Sequence, residues 1–383
     1  MNIPFNKPYL PVISLKAIAQ AAMSGMISGN GKFTKKCHRF FEENYGFRKV
    51  LLTTSCTDAL EMTAILADIQ PGDEVILPSF TFMSTANAFL LRGAKLVFAD
   101  TLPAIPNIDP DEIEKLITPK TRVIAVVHYS GIACDMDRIM EIAGRHKILV
   151  VEDAAHAIDS FYKGKPLGSI GHFGTFSFHE TKNIICGEGG MITINDQQFI
   201  RRAEIIWEKG TDRAAFYRGE VNKYGWVDIG SSFLPSDAIA ALLYTQLQRM
   251  KKIQSDRISS WNTYYRKLKP LEEKGTIQLP SIPDYASQNG NLFYFFVKSE
   301  EIRNDLLGFL KKQGISAVFH YLPLHSSPYF LDKHDGRPLP NTDRFSETII
   351  RLPFFYGLKR KDLDFVVKAV TSFFVTRNTI RIT

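Results

Sequence analysis

The chain has little cysteine and none of it in pairs. Four cysteines stand at positions 37, 56, 134 and 186 of 383 residues. No C-x-x-C spacing occurs, so neither a zinc site nor a disulfide framework is indicated. Reduced thiols of a cytoplasmic protein fit this usage. No run of about 18 apolar residues is present to span a bilayer. The opening MNIPFNKPYLPV lacks a basic region followed by an apolar run, so no signal peptide is expected. Dense Lys/Arg runs and aromatic RNA-binding motifs are missing too. The net charge of +7 then points to solubility and to anionic small molecules rather than to nucleic acid. Internal repeats and low-complexity segments are also lacking.

What is present is ordinary globular material. Hydrophobic residues make up 45% and charged residues 23%, and the length allows two domains. Short apolar runs such as DEVILPSF (73–80), AKLVFAD (94–100), RVIAVVHYS (122–130) and KILVVEDAA (147–155) read as strands buried on both faces. Helical spacing fills the gaps between them, as in CTDALEMTAILADI (56–69). That alternation predicts an α/β fold with a mainly parallel sheet covered by helices. Polar residues at the C-terminal strand ends then face a ligand crevice. After about residue 245 the pattern changes to a long polar helix (about 243–270), further helices and short apolar runs. The expected division is a large domain over 1–245 and a small α+β domain over 246–383.

Chemistry concentrates in four segments. TTSCTDAL places Thr54, Ser55, Cys56 and Thr57 between a strand and a helix, where free N–H groups favour a phosphate or simply a Ser/Thr cap. PSFTFMST puts Phe80 and Phe82 on one side of an extended segment, available to stack on a flat ring or to fill the core. VVEDAAHA leaves Asp153 at the C-terminal end of a predicted central strand, where an acid needs a cation, either within the protein or on a ligand. His156 follows three residues later. FSFHETKNIICGEGG (176–190) sets Lys182 between an aromatic strand and a glycine-rich turn. A desolvated lysine there loses its proton readily and attacks carbonyls. Cradle, aromatic, acid and lysine together are what pyridoxal phosphate (PLP) requires. A P-loop in SGMISGNGKFT fails, because Met26 and Phe33 occupy motif positions. His320 and His325 in HYLPLH have no matched carboxylate or thiol pattern, so no metal site is read there.

The same segments, with IPFNKP, SGNGKFTKKCHRFFEENYG, GDEVILPSFTFMSTANA and HYLPLH, resemble the DegT/DnrJ/EryC1/StrS sugar aminotransferases over almost the whole chain. The resemblance implies PLP fold type I with a mainly parallel seven-stranded sheet. It implies Lys182 as the Schiff-base lysine and proton shuttle, and Asp153 as partner of the pyridinium. Ser55, Cys56, Thr57 and Ser177 would hold the cofactor phosphate. Phe82 would stack on the ring, with His156 beside it. Many relatives use Asn to reach the neighbouring subunit's cofactor phosphate, and this chain has Ser232 there. Implied substrate contacts are Phe5, Asn183, Lys209, Arg213, Lys223, His320 and Tyr321, with Arg218 in the same basic loop. EKGTDR, DIGSS and VFHYLPLH look like a subgroup that aminates C4 of a dTDP-linked 4-keto-6-deoxyhexose, with L-glutamate as donor. A homodimer with shared active sites follows from the same resemblance. Amination at C3, a gluco product, a sugar dehydratase and a non-catalytic binding protein are the competing readings. The dehydratase is disfavoured, because position 182 is Lys where such relatives carry His.

Overall fold

A computed structural model describes residues 2–380. The strands are β1 Val50–Thr53, β2 Glu74–Pro78, β3 Lys95–Ala99, β4 Thr121–Val127, β5 Leu149–Asp153, β6 Phe161–Tyr162, β7 Lys165–Pro166, β8 Phe173–Ser177, β9 Gly190–Ile194, β10 Tyr294–Phe296 and β11 Ile349–Arg351. Seven of them form one sheet in the order β1-β9-β8-β5-β4-β2-β3. The pairs from β8 through β5, β4 and β2 to β3 are parallel, while β9 runs antiparallel to both β8 and β1. The expected seven-stranded, mainly parallel sheet is therefore present. Residues 75–77, 123–127 and 150–153 are all buried, as strands covered on both faces require.

The helices near the site differ in how their N-termini are satisfied. Helix α1 spans Ile13–Ala22, α2 Lys32–Tyr45, α3 Cys56–Leu66 and α4 Met83–Leu90. At α3 the N-cap Ser55 Oγ accepts the Asp58 N–H at 3.0 Å, and Asp58 adds negative charge to the first turn. At α2 the free N–H groups of Phe33 and Thr34 donate to the buried Asp237 carboxylate at 3.0 and 2.8 Å. The glycine-rich segment before α2 thus serves helix packing: a Cβ on Gly31 would lie 2.5 Å from the Asp237 side chain. Helices α5 Pro110–Leu116 and α6 Met136–His146 start on Asp109 and Asp135 caps.

The polar helix expected over about 243–270 is two helices. Following α7 Ile200–Trp207 and α8 Arg213–Tyr217, α9 spans Asp237–Leu247 and α10 Met250–Glu273. Both sides of the break carry buried anchors, Leu247 and Met250, in the core under the large sheet. Farther along α10, Trp261, Tyr264 and Leu268 join a different core. The break at Gln248 and Arg249 lets one stretch of chain serve both. This second core holds Phe293 and Phe295 beside the β10–β11 pair, with α11 Glu300–Lys312 and α13 Arg360–Ile380 over it. An aromatic cluster of Phe80, Tyr129, Tyr294, Phe296 and Phe345 bridges the end of β2, the β10–β11 pair and α12 Pro340–Thr348. No helix among the described residues is long and apolar enough to cross a membrane.

The first residue of β9 touches the cap of α3. A Cβ on Gly190 would stand 2.3 Å from the carbonyl carbon of Ser55 and 2.4 Å from the Cys56 nitrogen, both backbone atoms that cannot swing aside. Gly190→Ala is expected to cost about 1–3 kcal/mol of stability. A denaturation midpoint equal to that of the parent chain would show that this approach relaxes freely.

Candidate active site

The C-terminal ends of β5 and β8, the N-terminus of α3, the start of α4 and the end of β11 surround a cavity of about 630 Å³. Strand alternation decides what β5 sends there. Asp153 lines the cavity. Glu152 instead ties down a loop, accepting from the N–H groups of Gly168, Ile170 and Gly171 and pairing with buried His128 at 2.9 Å.

Asp153 is buried, and Thr85 Oγ1 donates to its Oδ2 at 2.7 Å while the Ala155 N–H donates to Oδ1 at 3.1 Å. Burial nevertheless raises its pKa against those bonds and against the nearby Lys182 charge. A carboxylate so placed favours a further cation. Lys182 lies in the turn between β8 and β9, with its N–H donating to His179 O at 2.9 Å. Its side chain is half-buried on the cavity wall. Desolvation lowers its pKa from 10.5 to about 8, against the attraction of Cys56 and Asp153 and with help from the Arg351 charge. The amine is therefore partly neutral near physiological pH, as a nucleophile toward a carbonyl must be.

Ser55, Cys56, Thr57 and Ser177 line the end of the cavity formed by the α3 N-terminus. Thr57 Oγ1 donates to Ser84 Oγ at 2.8 Å. Phe80 and Phe82 both approach Tyr321, with centroids at 5.7 and 6.3 Å. Phe80 is wholly enclosed, whereas Phe82 is 51% exposed on the cavity wall. His156 Nδ1 accepts the Ser130 N–H at 3.2 Å, so its proton sits on Nε2. Burial, then the Lys182 and Arg351 charges, push its pKa well down.

Of the expected substrate contacts, Phe5, His320 and Tyr321 line the cavity. Asn183 does not. Its amide donates to Gln254 Oε1 and Asn289 O at 2.8 and 2.9 Å and accepts from Asn291 at 2.8 Å, so it braces the Lys182 turn. Lys209, Arg213, Lys223 and Ser232 are exposed and lie outside the cavity lining, as does Arg218. His325 is separated from His320 and bonds Ser79 Oγ through Nδ1 at 2.8 Å. Sequence reasoning passed over Thr85, which holds the acid, and Arg351, a cation on the wall.

A model of the DegT/DnrJ/EryC1/StrS aminotransferase family matches residues 12–371. The chain belongs to this family. It is 27% identical to the aminotransferase TlmJ from Streptoalloteichus hindustanus, with 98% of this chain and 100% of that one covered at a TM-score of 0.90. Spr1654 from Streptococcus pneumoniae, assigned as a sugar aminotransferase, is 27% identical in its PLP form, over 97% of this chain and 98% of that one, at 0.89. Its PMP form matches at 26% identity over 100% of both chains, at 0.91. The architecture is that of PLP fold type I, and the chain is a sugar aminotransferase with pyridoxal phosphate as its cofactor. The residues present fit that group: a lowered amine, a buried acid favouring a cation, a helix N-terminus and an exposed aromatic share one cavity.

The lowered Lys182 pKa is measurable before any cofactor is added. Labelling of the cofactor-free chain by a small amine-reactive reagent, resolved by residue in a mass spectrometer, is expected to be half-maximal near pH 8 at Lys182. Below that pH the rate falls about tenfold per unit as the amine protonates. Half-labelling of Lys182 at the pH of surface lysines would remove desolvation as its activating cause.

Proposed function

We propose that this enzyme moves an amino group from L-glutamate to C4 of dTDP-4-keto-6-deoxy-D-glucose, giving dTDP-4-amino-4,6-dideoxy-D-galactose for surface polysaccharide synthesis in the cytoplasm. The observation that carries the transaminase chemistry is the convergence of Lys182 and Asp153 on one cavity. The choice of sugar rests on the likeness of EKGTDR, DIGSS and VFHYLPLH to the C4-aminating subgroup.

The cofactor supplies the electron sink that lets an amino group pass between two carbonyl compounds. The chain's residues do the rest. Lys182 Nζ would hold the cofactor at its carbonyl carbon and would carry the proton in each half-reaction. Asp153, fixed by Thr85 and Ala155, would pair with the ring's protonated nitrogen. The α3 N-terminus with Ser55, Cys56, Thr57 and Ser177 would bind the phosphate. Phe82 would cover one face of the ring, and His156, held neutral, would offer Nε2–H without adding charge. Phe5, His320 and Tyr321 border the substrate. The unit over 1–245 would carry the cofactor, and the unit over 246–383 would close the substrate side.

We read the working form as a homodimer with shared sites. Trp226 at 83% and Tyr217 at 68% exposure are large apolar surfaces beside Lys209, Arg213 and Lys223, which supports a second copy seated there. Ser232 and those basic residues would then serve the partner's site.

The test is spectroscopic and then chemical. With PLP, the protein should absorb near about 410–430 nm and shift toward about 330 nm with L-glutamate, and Lys182→Ala should lose the lysine-bound band. Incubation with dTDP-4-keto-6-deoxyglucose and glutamate should give a 4-amino sugar of galacto configuration by NMR. A C3-amino or gluco product would redirect the substrate assignment, and no band after PLP addition would remove the enzyme reading.

A further inference from the structure

The turn that follows β4 holds two histidines at once. In residues 129–131 Ser130 stands at φ +58° and Gly131 at φ +77°. A buried serine keeps such a left-handed backbone only where its surroundings fix it. Here the Ser130 N–H donates to His156 Nδ1 at 3.2 Å, and the Tyr129 N–H donates to Asn107 Oδ1 at 3.1 Å. The Tyr129 ring is wedged among Phe80, Tyr294, His320 and His156, with centroids between 5.4 and 5.8 Å away. Its hydroxyl therefore has one place to be, 2.8 Å from His320 Nδ1.

The proton of that bond could sit on either atom, and the neighbourhood decides. Among the described residues Tyr129 Oη has no second acceptor, so a bond donated by Nδ1 would strand the phenol proton in the interior. With Oη donating, both groups are satisfied. Burial and then the Arg351 charge push the His320 pKa well down, so the ring is neutral. A neutral imidazole whose Nδ1 accepts carries its proton on Nε2. Nε2 bonds no protein group among the described residues, and His320 lines the cavity. One N–H donor is thus left for a ligand. The amino donor brings carboxylate oxygens, which draw on full cations. A keto sugar brings neutral oxygens, a ketone and hydroxyls, and a neutral N–H meets these without burying another charge. We propose that Tyr129 is a positioning residue for the sugar half-reaction: its hydroxyl fixes His320 as the Nε2–H tautomer, and that N–H donates to a neutral oxygen of the keto sugar.

This inference rests on the sugar transaminase reading above, and its first test is independent of turnover. In holoenzyme carrying isotope-labelled histidine, the His320 signals are assigned by their loss in His320→Gln. Their nitrogen shifts are expected to show a proton on Nε2 and none on Nδ1. Tyr129→Phe, which keeps the ring and loses the donor, should bring in the Nδ1–H form. In that variant kcat/KM of the sugar half-reaction should fall about tenfold, through KM more than kcat, while the glutamate half-reaction loses at most about twofold. H320Q should lose as much, and adding Y129F to it should cost the sugar half-reaction nothing further. An unchanged tautomer in Y129F, equal losses in the two half-reactions, or additive losses in the double variant would each overturn the assignment. If Y129F does not fold, the parent's tautomer and H320Q decide, and an intact sugar half-reaction in H320Q overturns the role. A parent enzyme that aminates the keto sugar with His320 protonated on Nδ1 would sink the Tyr129 role alone. One that aminates no keto sugar would sink both readings.

Discussion

Two cations, Lys182 and Arg351, share a desolvated cavity with one buried carboxylate, Asp153, and most of the chemistry depends on that imbalance. Burial opposes every one of these charges, and each pKa moves toward the neutral form. The attraction of Asp153 limits the fall at Lys182, while Arg351 deepens it. The amine consequently sits near 8 rather than at either extreme, which is where a group that must both attack and shuttle protons works best. An excess of positive charge in a dry site also favours ligands that arrive as anions.

Such a site needs a stiff frame, and the frame is a matter of register. Glu152 and Asp153 are neighbours on β5, yet one anchors the 168–171 loop and the other faces the ligand space. A slip of one residue would exchange them and leave a structural acid in the cavity. Buried Thr85, from α4, fastens Asp153 laterally, and the Gly190–Ser55 approach sets how close β9 stands to the phosphate end. The Asn183–Asn289–Asn291 network, joined by Gln254 from α10, fixes the far side of the Lys182 turn.

Legibility in the sequence follows the range of the interaction. Strands buried on both faces announce themselves as apolar runs, and Lys182 and Asp153 stand out because a charged residue follows such a run. Ser55 reads as a cap because its partner Asp58 is three residues away. Thr85 meets Asp153 across 68 positions and Asn183 meets Asn289 across 106, and no local pattern encodes either. Arg351 was hidden differently. It stands in the middle of TIIRLPFF (348–355), and only the structure ends β11 at that residue and sets it in the cavity wall. The joint between α9 and α10 escaped because Gln248 and Arg249 are residues a helix accepts, with no Gly or Pro to mark the break.

The histidines complete the charge argument. His156 and His320 stand 6.2 Å apart, nearly stacked, and Tyr129 Oη bonds His320 Nδ1 at 2.8 Å. Burial and the neighbouring cations hold both imidazoles well below their usual pKa, while burial keeps the Tyr129 phenol protonated. Had either ring charged, a third positive group would oppose Lys182 in giving and taking its proton. Kept neutral, the pair contributes directional N–H and lone-pair contacts at no electrostatic cost. The work of drawing in an anion is then left to Lys182, Arg351 and the α3 N-terminus, while the aromatic wall decides the shape of what is admitted.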